Sequence, residues 1–233
     1  MKSVEEWIQG FNLMYNNLSS DKAPGLELYE MSRLLTDSQD TVVVALYNGS
    51  LGESFESTEA LTTYLGTLVK QGEGKVANET GLYHLFDDTI VFELPNDILF
   101  RTWEACTIQN SCGKEVLVPV VPVTQDEYWR TVRNPFKKQN DNRVLRLSYA
   151  TGKETGGEKF AETNYAELIS DNTIIDYKVR YLSRPEPIIL ETLTDGLSIH
   201  GKTDVATCKL PEILHQTILA EAVRQAKAIW NNQ

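Results

Sequence analysis

The sequence predicts an α+β protein: N-terminal helices and a C-terminal helix packed together, with a central antiparallel β-rich body. Three observations lead there. Near both ends, apolar residues recur at three- and four-residue steps, the period of a helix face. Between them the pattern shortens to β-branched and alternating runs broken by turn dipeptides, the pattern of strands. No strand–helix–strand alternation runs through the chain, which argues against a parallel nucleotide-binding sheet. The expected parts are a helical segment over 1–72, a β-rich body over 73–208 with a short helix near 125–133, and a helix over 209–233 packing back on the first part. Together they are expected to form one compact unit.

The first helix opens with a capping box, Ser3-Val-Glu-Glu6, in which serine and glutamate satisfy orphan backbone N–H groups reciprocally. Val4, Trp7, Ile8, Phe11, Tyr15 and Leu18 then form one stripe. Ala23-Pro24-Gly25 breaks the chain. A second helix is expected from about Leu26 to Leu46, with Leu28, Met31, Leu35, Val42 and Leu46 inward. Its β-branched run Thr41–Val44 could read as strand, but Asn48-Gly49 supplies a helix stop. Thr58–Val69 makes a third helix, with Leu61, Tyr64, Leu65 and Leu68 on one face.

After Gly72 the strands begin. Leu82–Phe86 and Thr89–Leu94 straddle Asp87-Asp88 as a hairpin. Ile98–Gln109 and Glu115–Val123 follow; Pro119 and Pro122 confine the latter to an edge or a bulge. Thr124-Gln-Asp-Glu127 reads as a second capping box before a short helix that Asn134-Pro135 ends. Arg143–Tyr149 alternates Val144, Leu145 and Leu147 with arginines. Thr151–Lys159 reads as a Gly- and Lys-rich hairpin loop that is adaptable or free in solvent. Tyr165–Ser170 and Ile174–Leu182 are the last strands. Leu210-Pro211 starts the final helix, whose apolar face is Leu214, Ile218, Leu219, Ala222, Val223, Ala226 and Trp230.

A hydrophobic content of 41% is ample for a core, and the net charge is −11. That charge argues against an outward-facing nucleic-acid groove, which needs clustered Lys and Arg. Three cysteines, Cys106, Cys112 and Cys208, make no disulfide framework and lack a histidine at zinc-ligand spacing. They are expected to be reduced thiols. The N-terminus lacks an apolar signal core, and no run approaches the length of a membrane span, so the protein is expected to be soluble when made.

Recognisable chemistry is sparse. Gln71-Gly-Glu-Gly-Lys75 departs from the phosphate-loop pattern and reads as a solvated turn, and Thr155-Gly-Gly-Glu-Lys159 fails the same test. His84, His200 and His215 form no ligand-spaced pair. His215, early in the last helix, is expected to hydrogen-bond a neighbouring carbonyl. Asn78-Glu-Thr80 is a formal glycosylation sequon without a secretory signal. No catalytic residue, cofactor-binding residue or metal ligand is assigned. One stretch stands out: Tyr128, Trp129, Arg130, Arg133, Phe136, Lys137, Lys138, Arg143 and Arg146. It is basic within an acidic chain and carries interleaved aromatics. It reads as a solvated helix end and strand face, or as a contact with an acidic neighbouring subunit, since Arg, Trp and Tyr favour interface hot spots, with nucleic acid a weaker third option.

Two C-terminal stretches, DYKVRYLSRPEPII (Asp176–Ile189) and KLPEILHQTILAEAVRQAKAIW (Lys209–Trp230), resemble the virion structural proteins of crAss-like tailed bacteriophages. So do Leu13–Leu35, Val91–Asp97 (VFELPND), Val121–Val132 and Asn134–Leu147, in the same order along nearly the whole chain. The resemblance implies a head-to-tail connector or adaptor ring subunit and no enzyme. It implies identical neighbours in a closed ring, as a dodecamer, with the portal protein and other tail ring proteins as further partners. DNA would pass through the channel without sequence-specific binding, and no membrane is involved. The subunit would be made in the host bacterial cytoplasm and reside in the virion. The residues themselves leave two alternatives open: a hydrolase or other enzyme with its site hidden in the β body, or a monomeric binding domain.

Overall fold

The structure is a computed structural model that describes residues 3–18, 25–49, 59–77, 89–155 and 159–231. Among the described residues it is α+β, with five α-helices and an eight-stranded, mostly antiparallel sheet. The chain divides into two compact units: residues 1–68 with 184–233, and residues 69–183.

The helical unit is built on α1 (Val4–Leu18), α2 (Leu28–Tyr47), α3 (Glu59–Leu65) and α5 (Glu212–Asn231). The capping box at the start of α1 forms as expected. Glu6 N–H donates to Ser3 Oγ at 3.2 Å, and Ser3 N–H to Glu6 Oε2 at 2.7 Å. α2 carries a second such reach-back that the sequence reading missed, Glu27 N–H to Glu30 Oε2 at 2.9 Å. At its far end Asn48 caps and Gly49 takes a left-handed φ of 64°, so the β-branched run stays helical. Trp7, Phe11 and Tyr15 of α1 are buried, as are Leu214, Ile218, Leu219, Ala222, Val223 and Ala226 of α5. The two helices touch: the Trp7 and His215 rings lie 5.0 Å apart, and a Cβ at Gly10 would sit 3.1 Å from Leu219 Cδ1. A glycine there lets α1 approach the Leu219 side chain of α5. His215 Nε2–H donates to the Leu210 carbonyl at 3.0 Å, the local bond expected for it.

Residues 184–208 belong to this unit, although their pattern placed them with the β body. The reason is polar. The extended stretch 186–190 is fastened by α2 side chains, which take its backbone groups. Ser32 Oγ accepts the Leu190 N–H (3.0 Å), Thr36 Oγ1 accepts the Ile188 N–H (3.1 Å), and Gln39 Nε2 donates to the Glu186 carbonyl (2.8 Å). Two tight turns follow, each with consecutive positive φ values: Asp195-Gly196 and His200-Gly201. Those values define the turn class in which both central residues are left-handed.

The second unit is a barrel. Its strands are β1 (Val69–Glu73), β2 (Lys75–Val76), β3 (Thr89–Leu94), β4 (Ile98–Gln109), β5 (Glu115–Pro122), β6 (Val144–Thr155), β7 (Lys159–Ile169) and β8 (Thr173–Ser183). Their spatial order is β1-β8-β4-β5-β6-β7-β3-β2. β1 pairs with β8 at one end of that order and β2 pairs with β3 at the other. Only Gly74 separates β1 from β2, so the sheet closes on itself. The Gln71–Lys75 segment is therefore a kinked strand, not the solvated turn that its glycines suggest. A Cβ at Gly74 would lie 2.7 Å from the Tyr177 ring and 3.1 Å from Phe92, so the closing corner has room for glycine alone. The barrel is filled by Phe92, Leu94, Cys106, Ile108, Val118, Val120, Val144, Ala166, Leu168, Tyr177, Val179 and Tyr181.

One pair is parallel: Val120–Pro122 with Val144–Arg146. β5 is bonded to β4 along Glu115–Pro119 and to β6 only along Val120–Pro122. Each half is thus one-sided, and the strand changes neighbours at Pro119, whose missing N–H cannot serve a continuous ladder. A parallel pair needs a crossover, which residues 123–143 supply through α4 (Tyr128–Val132). The expected Thr124–Glu127 capping box does not form. Glu127 occupies the cap position without a side-chain bond, and its N–H closes a turn on the Thr124 carbonyl at 3.2 Å. The expected loop Thr151–Lys159 is mostly strand, because the β6–β7 ladder runs out to Thr155↔Lys159. The expected strand Leu82–Phe86, the Asp87-Asp88 turn, His84 and the sequon lie outside the described residues.

Candidate subunit interface

The crossover from β5 to β6 carries the basic-aromatic stretch, and a single aromatic anchors it. Tyr128, 7% exposed, packs with Leu145, Leu147 and Ile169 on the outer face of β6 and β7, supported by Val121, Val123 and Val132. Burial raises the Tyr128 pKa, and the nearby Glu167 and Asp171 charges push it further the same way, so it stays a neutral phenol. With Tyr128 turned inward, the helix presents the next residue outward: Trp129 is 60% exposed.

Beyond α4 the chain is held by its own hydrogen bonds. Asn134 Oδ1 accepts the Phe136 N–H (2.9 Å), and the Asn134 carbonyl accepts Lys137 and Lys138 N–H (both 3.0 Å). Arg143 Nη1 donates to the Phe136 carbonyl at 3.0 Å, and Asn140 and Arg143 exchange backbone bonds. These contacts fix the shape of a segment whose large side chains face water. Phe136 is 87% exposed, and Arg130, Arg133, Lys137 and Lys138 are exposed around it. An ordered surface with two large aromatics among four cations has the composition of an interface centre. Phe136 buries little of its side chain in the isolated subunit.

The structure thus gathers Trp129, Arg130, Arg133, Phe136, Lys137 and Lys138 on the surface and assigns the other three elsewhere. Tyr128 is the anchor and Arg143 the brace. Arg146 is buried: its Nε lies 2.6 Å from Glu104 Oε2, both side chains 7% exposed. It shares an inward register with Val144, whereas Leu145 and Leu147 point to the outer face beneath Tyr128. An arginine in a strand reads as surface-facing, but Val144–Leu147 are buried on both faces of β6.

That ion pair belongs to a buried cluster that the sequence did not reveal. Tyr177 Oη donates to Glu104 Oε2 at 2.6 Å, and Arg101 lies near enough for its charge to act on Tyr177. Burial first, then the Glu104 carboxylate, drive the Tyr177 pKa far up, so the phenol keeps its proton. Glu104 is therefore occupied by an arginine and a phenol, an arrangement that closes a barrel interior. A cleft of about 420 Å³, lined by Pro122, Val123, Thr124, Gln125, Glu127 and Arg146, opens beside it. Among the described residues no group of three or more His, Cys, Asp or Glu side chains is placed to hold a metal ion, and no helix is long and apolar enough to cross a membrane. Cys106 and Cys208 are buried and Cys112 is exposed; burial raises the first two thiols to about 12 and about 11.

Known proteins are similar to this chain along nearly its whole length. The family described as phage tail ring protein 3/4 matches residues 2–233. "Ring protein 3" of Bacteroides phage crAss001 is 35% identical over 228 residues, covering 95% of this chain and 94% of that protein. "Ring protein 4/5" of the same phage is 31% identical over 235 residues, covering 98% and 93%. An α+β chain with an ordered basic-aromatic face, matched end to end in this way, belongs to the phage tail ring protein 3/4 family.

Proposed function

We propose that this chain is a structural, non-catalytic subunit of a closed virion ring in the connector between capsid vertex and tail, beneath the portal, with DNA passing through its lumen. The observation that carries the reading is full-length similarity to proteins named for rings. The fold adds a mechanism. A ring is built from a head-to-tail contact, in which two different patches of one subunit meet those of its neighbours and rotation closes the set. The exposed residues Trp129, Arg130, Arg133, Phe136, Lys137 and Lys138 supply one patch.

Charge supplies a direction for the other. The helical unit holds sixteen acidic against eight basic residues, and the barrel seventeen against fourteen. Within the barrel, residues 128–146 hold six basic residues and one acidic. The basic segment of one copy therefore meets the acidic helical unit of the next, which steers encounter and sets register more than it adds affinity. An acidic lumen also suits a DNA channel, where tight phosphate binding would arrest passage. The copy number of twelve comes from the resemblance to connector rings alone.

The test is a charge reversal, Arg130→Glu with Arg133→Glu. Like charges facing across an interface cost several kcal/mol, and each 1.4 kcal/mol is tenfold in association. Incorporation into particles lacking the native subunit should fall roughly tenfold or more, scored by electron microscopy, while circular dichroism of the free subunit stays unchanged. Full rings from the reversed subunit would remove this face from the interface. A two-fold dimer as the largest assembly would overturn the ring itself.

A further inference from the structure

We infer that neighbouring copies of this chain join edge to edge through the β6–β7 arm, the β6 edge of one copy against the β7 edge of the next. The inference rests on the ring reading and names a second contact that the reading does not require. β5 bonds β6 only along Val144–Arg146, and β3 bonds β7 only along Asn164–Ile169. Past those limits, residues 151–155 pair with 159–163 and, among the described residues, with no other strand. The result is a two-stranded ribbon extending beyond the barrel ladders, with one unpaired edge on each strand.

A lone two-stranded ribbon is marginal in water. This one has little to bury: the stretch ATGKETGGEKFAETN, residues 150–164, holds one large apolar residue, Phe160. Its resource for binding is the main chain, which recruits a partner by adding strands to a sheet edge. Natural edges are commonly blocked by proline, and no proline lies between Val144 and Ile169. The charges also permit copies to meet. Each arm strand carries one lysine and one glutamate, Lys153 with Glu154 and Lys159 with Glu162, in a chain of net charge −11. The arm strands are thus neutral and complementary although each copy as a whole is acidic.

Symmetry selects the pairing. Joining like edges gives a closed two-fold pair. Joining the β6 edge to a neighbour's β7 edge repeats indefinitely, keeps every contact antiparallel, and closes by rotation into a continuous β-wall. A ring subunit needs the second.

The experiment uses full-length protein with Cys112→Ser, which leaves the two buried cysteines. Glu154→Cys and Phe160→Cys are made in separate preparations, each checked for an unchanged melting temperature. Each is assembled alone and as an equal mixture, then treated with a short bis-maleimide. Cross-linked pairs should form in the mixture and fall to background in either preparation alone. A second pair, Lys153→Cys and Glu162→Cys, covers a shifted register. Closed rings with no cross-linked pair in either mixture would overturn the inference and leave the ring reading standing. Equal cross-linking in the separate preparations would replace it with like-edge pairing. No closed assembly from the Cys112→Ser parent would overturn the ring reading on which it rests.

Discussion

Glu104 and Gly74 show how single positions bind the barrel together. Glu104 neutralises Arg146 in the interior and receives the Tyr177 hydroxyl at 2.6 Å. Glu104→Ala removes a partner from a buried arginine and should destabilise by about 3–5 kcal/mol. Replacing the pair together, Glu104→Leu with Arg146→Met, should recover part of that loss, because the Arg146 charge leaves with its partner while the nearby Arg101 charge stays. Urea unfolding of both variants checks the two signs; equal losses would mean that the pair contributes net stability. At Gly74 the obstruction is steric. The new Cβ of Gly74→Ala would meet the Tyr177 ring at 2.7 Å and Phe92 at 3.1 Å, at the corner where one strand serves both ends of the sheet. Overpacking of this kind costs roughly 1–3 kcal/mol. The melting temperature should drop, whereas alanine at Gly25, with nothing within 4 Å, should leave it unchanged.

Among the elements, α5 has the clearest division between a face that packs and a face that does not. Val223 is 1% exposed, on the same side as Ile218 and Ala222, while Glu221 and Arg224 form an outward pair at 2.5 Å. Val223→Asp would place an unpaired carboxylate against the helical layer, at a loss of about 3 kcal/mol or more. Melting followed by circular dichroism checks it; a transition matching the parent would mean that this face of α5 is not sequestered. α2 packs by a different means. Its apolar residues are joined by the buried Ser32, Thr36 and Gln39, which hold the 186–190 stretch through its backbone. Such residues weaken an isolated helix and earn their place only through a partner chain.

For the whole molecule the governing quantity is the distribution of charge. On the proposed ring reading, a basic-aromatic face on an acidic chain would give assembly an electrostatic component that salt screens, with a Debye length of about 10 Å at 0.1 M falling to about 3 Å at 1 M. If the Arg130–Lys138 face meets an acidic patch, the rate of ring assembly should fall as sodium chloride rises from about 50 mM to about 0.5 M, and dissociation should change far less. Light scattering through the assembly reaction reads this directly. A rate independent of salt would assign the contact to Trp129 and Phe136 instead.

The sequence by itself determined the elements whose signals are local. The Ser3–Glu6 cap, the helix stop at Asn48-Gly49, the apolar stripe of α5 and the strand Ile98–Gln109 need only periodicity and turn chemistry, and each stands where it was read. The exposure of Trp129 and Phe136 was legible in part, because aromatics set among cations are rarely core. What only the tertiary structure decided are the pairings made across long separations. Arg146 and Glu104 stand 42 positions apart, on β6 and β4, and meet because β5 pairs with β4 along one half and with β6 along the other. Barrel closure through Gly74 joins strands β8 and β3, and no local pattern marks a glycine as a corner rather than a turn. The stretch 184–208 went to the helices because hydroxyls of α2 answer its backbone, a match between partners that neither segment displays alone.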